Sequence, residues 1–337
     1  MTIPYQDLAG RLQERIRAVL DPYFADGQPF AIVDFPNIRN VGDSAIWLGE
    51  MAYLRATKRR PAYVSEIANH SSQHLREEMP KGPIFIHGGG NFGDVWESHQ
   101  RFRERILEEF PDRQVIQFPQ SIHFDSPARI EQSARIIAKH GNFVLLVRDV
   151  ESLEFSRKHF ECEVILCPDM ALCIGPIAPL AAARLPILAM LREDKEKSTA
   201  YDTALYPELS VEDWITEPAL GMKLVKLRSK LASLLTGRDE QAARFAKFND
   251  LAEARFRRGI RQISRGRAIV TDRLHVHILS LLLGRPHATL DNSYGKITRF
   301  QAAFTGDSDL TYRATSFNDA MRWASTDGQT ISKRLSR

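Results

Sequence analysis

Two arginines stand at the ends of apolar segments, where a buried charge needs a partner. Arg148 follows Leu145-Leu146-Val147, and Arg273 closes the segment Val270-Thr271-Asp272. A guanidinium at the end of a buried strand is costly unless it meets an anion. Its fork of N–H donors matches the oxygens of carboxylate and phosphate groups. The two positions therefore predict a site for a small anion, although Asp149 could also satisfy Arg148 locally.

Groups that could transfer protons or add positive charge occur close to these arginines. His275 comes two positions after Arg273, and Lys296 follows another apolar segment. Because the imidazole pKa lies near neutrality, His275 is our first candidate for general acid or base and His123 our second. Asp43 is a candidate base, with a helix cap as the alternative.

Two further residues of the Arg273 segment have structural interpretations. Asp272 is expected to cap the helix that follows it. His275-x-His277 could suggest a metal site, but no third ligand of matching spacing accompanies the pair. We therefore predict no metal.

A glycine-rich segment, Gly88-Gly89-Gly90-Asn91, follows the apolar run Ile84–His87. Glycines let a backbone approach a ligand closely, and we expect the helix after this segment to offer N–H groups to an anion. Packing of that helix on the sheet is the alternative. The segment does not fit GxGxxG with its acidic partner, and the chain contains neither GxxxxGK[ST] nor GxSxG. Dinucleotide, P-loop and serine-hydrolase sites are therefore not supported.

The elements that must position these residues alternate along the chain. Short apolar runs are separated by longer periodic stretches, a pattern typical of parallel sheets covered by helices. We predict an α/β fold of two Rossmann-like lobes facing a central cleft: an N-terminal lobe over residues 1–176, including an N-terminal helix, a linker over 177–186 and a C-terminal lobe over 187–330. Ligands of such sheets bind at the carboxyl ends of the strands. The individual runs are predicted as strands at Ala31–Phe35, Ala62–Val64, Ile84–His87, Val115–Phe118, Phe143–Val147, Val164–Cys167, Ile187–Leu191, Ala268–Thr271 and His287–Leu290.

Composition limits the setting. The chain has 337 residues, of which 43% are hydrophobic and 26% charged, so a sizeable core is expected. Its formal net charge is +4, and its basic residues are not interleaved with aromatics, so nucleic acid is not predicted. The basic residues between Lys223 and Arg267, and near Arg337, are either a solvated helix face or a surface that meets an anionic membrane.

The cellular location is predicted from cysteine usage and from the N-terminus. Three cysteines without CxxC spacing favour a reducing cytoplasm. The N-terminus lacks the basic start and apolar run of a secretory signal, and no apolar stretch reaches the roughly 20 residues of a membrane span.

Taken in order, these motifs resemble the polysaccharide pyruvyl transferase family from about Phe35 to Thr298. The resemblance implies a fold like that of the two-lobed GT-B glycosyltransferases, with phosphoenolpyruvate as the donor and a sugar of an exopolysaccharide or cell-surface polysaccharide as the acceptor. The matching motifs are Asn40-Val41-Gly42-Asp43-Ser44-Ala45-Ile46, His87-Gly88-Gly89-Gly90-Asn91, Arg148-Asp149, Thr271-Asp272-Arg273-Leu274-His275 and Tyr294-Gly295-Lys296.

The resemblance also implies roles for individual residues. The donor-gripping arginines of the family carry over to Arg148 and Arg273, and its histidine to His275; His123 is matched to another family histidine. The product would be a pyruvate ketal on the sugar, formed without a metal or organic cofactor because side chains supply the cations. The donor cradle is expected to include the Leu274 backbone, Lys296 and the glycine-rich segment.

The acceptor and the rival functions are less closely defined by the sequence. Trp96 and Glu97 follow the glycine-rich segment and are the candidate acceptor-binding residues, while Trp47 is interpreted as core. The acceptor is either free or lipid-linked. The alternative functions are a nucleotide-sugar glycosyltransferase of similar fold and a catalytically silent anion-binding protein.

Overall fold

The computed structural model describes residues 3–193, 201–217, 225, 227, 231, 239–291 and 295–335. Lys223, Tyr294 and Arg337, which were named in the sequence patterns, lie outside the described residues. The described chain contains two parallel sheets, so the predicted α/β class is confirmed.

The first sheet has the strand order β2-β1-β3-β5-β6-β7, with β4 paired to the far end of β5. All of its described pairings are parallel. The strands are β1 (Ala31–Val33), β2 (Tyr63–Val64), β3 (Ile84–Ile86), β4 (Gly89–Gly93), β5 (Val115–His123), β6 (Phe143–Val147) and β7 (Glu163–Leu166).

The helices of this half begin and end where their sequences favour it. The Asn40 side chain caps α2 by accepting from the Gly42 N–H at 3.0 Å. Pro127 opens α5, and Gly141 ends it with φ 70°, the left-handed conformation that glycine adopts without strain. The helices are α1 (Tyr5–Leu20), α2 (Val41–Ala56), α3 (Ser72–Glu78), α4 (Glu97–Glu109), α5 (Pro127–His140) and α6 (Val150–His159).

The second sheet has the strand order β12-β11-β10-β8-β9 and is also parallel. Its strands are β8 (Leu185–Met190), β9 (Ser210–Glu212), β10 (Gly266–Thr271), β11 (His287–Thr289) and β12 (Thr311–Arg313). Its helices are α7 (Glu240–Ser264), α8 (Leu274–Leu282), α9 (Lys296–Phe300), α10 (Phe317–Ser325) and α11 (Asp327–Leu335).

The predicted strands all occur within a few residues of their expected bounds. Pattern reading missed the short strands β4, β9 and β12, because a strand of glycines or of only three residues carries little hydrophobic periodicity. The division of the chain at 177–186 stays a prediction; strand β8 begins at Leu185, inside that range.

One apolar cluster joins the two sheets. It contains Ile32 and Phe85 from the first sheet and Leu188 and Ile269 from the second. Helices α2 and α7 pack together between them. Phe35 stacks on Phe248 of α7 with ring centroids 4.0 Å apart. Trp47, predicted as core, is fully buried and donates its indole N–H to the Asn249 side chain at 2.8 Å.

The N-terminal segment contacts the half of the chain that is remote from it in sequence. The Ile3 N–H donates to the Asp307 carbonyl at 2.8 Å, and the Asp309 N–H to the Ile3 carbonyl at 3.2 Å. Helix α1 also packs on α8. The N-terminal helix therefore binds both halves rather than the first alone.

None of the helices in the described part of the chain combines the length and the apolar character needed to cross a lipid bilayer.

The packing of α2 predicts a matched pair of glycine substitutions. A Cβ at Gly49 would overlap the Met170 carbonyl oxygen, whereas a Cβ at Gly10 of α1 would meet nothing within 4 Å. We expect Gly49→Ala to lower the free energy of unfolding by about 1–3 kcal/mol through overpacking. Gly10→Ala should raise it by about 0.5–1 kcal/mol, because alanine loses less backbone entropy in a helix. Urea unfolding of both variants checks this, and equal effects at the two positions would contradict the packing described.

Candidate functional site

The carboxyl ends of both sheets contribute to one cavity of about 280 Å³ between the two halves. This is the position at which open parallel sheets bind ligands. Asp43, Gly90, Asn91, Trp96, Arg148, Arg273, Leu274, His275 and Lys296 line it, so most of the predicted site residues come together.

Arg148, at the end of β6, is buried and held by two side chains. Its Nε donates to Ser121 Oγ at 3.0 Å, and its Nη1 donates to Asp169 Oδ2. Asp149 is not this partner: it caps α6 by accepting from the Ser152 N–H at 2.7 Å. The local pairing considered from the sequence is therefore wrong, because the adjacent carboxylate faces the helix instead.

Asp169 is the centre of a charge network. It follows β7, is fully buried, and its Oδ2 lies 3.4 Å from His275 Nε2 as well as beside Arg148. Burial alone would raise the pKa of Asp169, but Arg148 and His275 outweigh it and hold the pKa well below its usual range. This carboxylate is therefore ionised and orients two of the predicted site residues at once.

Arg273 has a matching arrangement in the second sheet. It is buried, and its Nη2 donates to Asp213 Oδ2 at 2.5 Å. Asp213 follows β9 and also accepts from the Glu193 and Trp214 backbone N–H groups at 3.0 and 2.6 Å. Each predicted anion-binding arginine is thus held by a buried aspartate that lies at the end of another strand.

Lys296 and Arg148 converge on Gly90. A Cβ at Gly90 would lie 3.0 Å from Arg148 Nη2 and 3.4 Å from Lys296 Nζ. Because glycine has no side chain there, the two cations face the cavity over bare backbone. This is a concentration of positive charge suited to an anion.

His275 is oriented by tight packing. Its ring lies against Gly42 at the start of α2, where a Cβ would overlap Nδ1. The first turn of α8 contains it, and Arg273 and Leu274 beside it also line the cavity. The N-cap of α8 has no side-chain hydrogen bond. Asp272 does not cap this helix as predicted, because its carboxylate accepts from the Arg192 N–H at 2.9 Å and the Tyr201 hydroxyl at 3.1 Å.

The glycine-rich segment is a strand and not the turn into a helix that we predicted. Gly89–Gly93 forms β4, and α4 starts only at Glu97, after a single 3-10 turn. The Gly88 N–H donates to Glu50 at 3.1 Å, and the Asn91 N–H to Gln120 at 3.1 Å. Those two amides are therefore used inside the protein.

The residues of the glycine-rich segment differ in whether they line the cavity. Gly90 and Asn91 line it, while Gly88 and Gly89 do not. The Asn91 side-chain oxygen accepts from Arg103 and Gln120, both at 2.9 Å. Asn91 thus fixes the strand, and Gly90 supplies the open backbone.

His123 and Glu97 lie outside this cavity. His123 lines a small neighbouring pocket with Trp96 and Lys296, and its Nε2 lies 2.9 Å from Asp125. Glu97 is paired with Arg101 at 2.8 Å and Arg129 at 3.3 Å. Its i,i+4 position relative to Arg101 explains why it faces along the helix.

Asp43 and Trp96 do line the cavity. Asp43 lies in the first turn of α2 and is not its cap, since that role belongs to Asn40. The Trp96 side chain is 40% exposed at the cavity edge, beside Ile38 at 43%. These two apolar side chains form an open face that a sugar ring could stack on.

Several residues of the site were missed by sequence reasoning. Asp169 and Asp213 are isolated acidic residues with no motif around them. Trp214 lines the cavity; it is buried, and its indole Nε1 has no hydrogen-bond partner among the described residues. Because an unpaired buried donor costs about 1–3 kcal/mol, this N–H is suited to a ligand oxygen.

A histidine–carboxylate pair was missed as well. His99 of α4 lines the cavity, and its Nδ1 lies 3.0 Å from each oxygen of Asp34, which directly follows β1. The only sequence signal was an aspartate at the end of an apolar strand.

Within the described ranges, no group of three or more His, Cys, Asp or Glu side chains is placed to hold a metal ion. His277, considered for such a site, instead bonds His287 at 2.7 Å and Thr305 at 2.8 Å. Burial lowers the pKa of His277 well below its usual value. It is a neutral core residue.

Comparison with known proteins relates the chain to pyruvyl transferases. Pyruvyl transferase 1 of Schizosaccharomyces pombe is 32% identical over 300 residues, covering 82% of this chain and 70% of that protein. A Bacillus subtilis protein provisionally named pyruvyl transferase EpsO is 28% identical over 85% of this chain and 88% of its own length.

A solved structure and a family match complete the comparison. A functionally uncharacterised protein from Klebsiella pneumoniae shares the fold with a TM-score of 0.57 at 18% identity, over 90% of this chain and 99% of that one. Residues 40–294, which include both arginines and His275, match the sequence pattern of the polysaccharide pyruvyl transferases. The chain therefore belongs to the polysaccharide pyruvyl transferase family.

Proposed function

We propose that this pyruvyl transferase takes its pyruvyl group from phosphoenolpyruvate and attaches it as a ketal across two hydroxyls of a polysaccharide sugar, releasing phosphate. The observation that carries the proposal is the convergence of Arg148, Arg273 and Lys296 on one cavity. Phosphoenolpyruvate bears a carboxylate and a phosphate, so it needs more than one cationic contact.

The donor would be held between the two arginines. Arg148 donates to Ser121 through Nε and to Asp169 through Nη1, and its Nη2 lies over Gly90, where it would meet the anion. Arg273, which Asp213 holds, would contact the anion from the second sheet. Lys296 and Arg148 flank Gly90 on one side, with the start of α8 on the other. The Trp214 N–H would add a neutral donor.

His275 is the proposed general acid. As it gives a proton to C3 of the donor, the C3 methylene becomes a methyl group and the C2=C3 double bond becomes a single bond. C2 thereby becomes electrophilic. One sugar hydroxyl bonds to C2; the second hydroxyl then adds there as the C2–O bond to phosphate breaks. The two hydroxyls lose two protons in total. Overall, one proton is gained by the methyl group and one by the released phosphate. Asp169 Oδ2, 3.4 Å from His275 Nε2, would hold the ring in position for this transfer.

The acceptor would enter along Trp96, with Asp43 as a further proton acceptor in the cavity. His123 remains a candidate only for contacts at the cavity edge. No metal or organic cofactor is part of the proposal, because side chains supply the positive charge.

We also propose an architecture, a cellular location and a membrane contact for this enzyme. The two sheets would correspond to the lobes of a GT-B-like architecture. The enzyme would work in the cytoplasm, and its basic surface would meet a membrane that carries a lipid-linked acceptor.

The direct test is phosphate release from phosphoenolpyruvate in the presence of synthetic or lipid-linked glucosides, galactosides and mannosides. We expect release that depends on one acceptor class, with the pyruvate ketal identified in the product by mass spectrometry. Phosphoenolpyruvate should also raise the melting temperature of the protein. If it does not, and a nucleotide sugar does, the donor assignment is wrong.

Arg273→Lys tests the donor grip while keeping a positive charge beside Asp213. Lysine is a point charge without the planar fork, so at least one charge-assisted hydrogen bond is lost. At about 1.5–3 kcal/mol for such a bond, kcat/KM for phosphoenolpyruvate should fall roughly 10- to 150-fold. Arg322→Lys is the control, because Arg322 is an exposed partner of Asp319 on α10. Equal kcat/KM in the two variants would remove Arg273 from the donor site.

Gly90→Ala tests the space over which Arg148 and Lys296 meet. The new methyl group would lie between the two cations and the bound anion, so KM for phosphoenolpyruvate should rise by about tenfold or more, as for a displaced charged contact. Gly10→Ala, remote from the cavity, should leave KM unchanged. An unchanged KM in Gly90→Ala would mean that the anion is not bound at this position.

A further inference from the structure

We infer that His99, held by Asp34, is the general base that removes the proton from the attacking acceptor hydroxyl. This inference rests on the proposed function and adds to it the group that activates the acceptor, opposite in role to His275.

The geometry of the pair defines the free nitrogen of the imidazole. His99 Nδ1 lies 3.0 Å from both Asp34 oxygens, so Nδ1–H donates to a carboxylate that accepts it with either oxygen. That contact fixes the tautomer and leaves Nε2 as a proton acceptor. Since His99 lines the cavity, Nε2 is the nitrogen that remains for a ligand.

Asp34 is built for this contact at a conformational cost. It is 1% exposed and has φ 68°, a left-handed conformation that is uncommon for residues other than glycine. Strained, buried residues of this kind cluster at functional sites. A carboxylate needed only to hold α4 could have been placed on ordinary strand geometry.

The surroundings place His99 on the acceptor side of the cavity. It lies in the first turn of α4, one turn after Trp96, whose exposed ring forms the open apolar face with Ile38. Of the cations of the proposed donor site, Arg148 and Lys296 border Gly90, and Arg273 lies at the start of α8. A sugar stacked on Trp96 would therefore present its hydroxyls next to His99.

With two histidines, each proton that is removed or added in the reaction has an acceptor or a donor. In the first step, the oxygen of the first sugar hydroxyl bonds to C2 while His99 takes the proton of that hydroxyl. In the same step, His275 gives a proton to C3. In the second step, the second hydroxyl bonds to C2 as the phosphate leaves. Its proton returns to His275, and the proton on His99 leaves with the phosphate, so both residues end as they began.

The test compares two variants of His99 with a variant of a half-buried histidine outside the cavity. His99→Gln should lower kcat for acceptor-dependent phosphate release by about 10²- to 10⁴-fold, the range for loss of a general base. The rise in melting temperature caused by phosphoenolpyruvate should stay at the wild-type value. In His99→Ala, added imidazole should restore part of the rate. Asp34→Asn should lower kcat as well, because it removes the charge that orients the ring.

His74→Gln is the matched control, since His74 also has carboxylate neighbours, Glu77 and Glu78, but lies on α3 outside the cavity. It should keep the wild-type rate. A wild-type rate in His99→Gln would overturn the inference, and so would loss of activity together with loss of donor binding and no rescue by imidazole. If the wild-type protein itself releases no phosphate with any acceptor, the proposed function is wrong. That outcome is distinct from failure of the inference about His99, which requires an active wild-type protein.

Discussion

The buried carboxylate of Asp169 is the contact on which the rest of the site depends. It accepts from Arg148, which ends a strand of the first sheet, and lies beside His275, which begins a helix of the second. Removing one member of a buried ion pair typically costs about 3–5 kcal/mol, because the remaining charge has no water to solvate it. The two halves of the chain are thus held at the point where the cavity forms. The same interaction that stabilises the fold also orients the arginine proposed to bind the anion and the histidine proposed to donate the proton.

Pairing each arginine with an aspartate shapes what the cavity can bind. Unpaired, Arg148 and Arg273 would be costly to bury; fully neutralised, they would not attract an anion. Asp169 accepts from Nη1 of Arg148 and Asp213 from Nη2 of Arg273, and Lys296 adds a further positive charge beside Gly90. The aspartates therefore fix both guanidinium groups in position, and the proposed anion would meet donors that need no rearrangement.

Sequence reasoning identified one side of these interactions better than the other. The arginines were predictable because a charge at the end of an apolar run is conspicuous, and the parallel sheets followed from the alternation of elements. Their partners were not: Asp169 and Asp213 are 21 and 60 residues away, and the adjacent Asp149 was an equally reasonable candidate. The glycine-rich segment misled for another reason. Glycines permit many conformations, so the pattern could not distinguish a turn from a strand that extends beside β5.

The segment Asn40–Asp43 positions a residue of the proposed site through packing and helix capping. Val41 fits against Gly259 of α7, and Gly42 against the ring of His275, and neither glycine has room for a side chain. Asn40 caps the helix that carries both contacts. The orientation of His275 therefore depends on a helix of the other half of the chain, so the interface between the sheets would set the geometry of the proposed proton transfer. A substitution at Gly42 would displace the imidazole from within the protein, so this motif supports the proposed site although it carries only one titratable group.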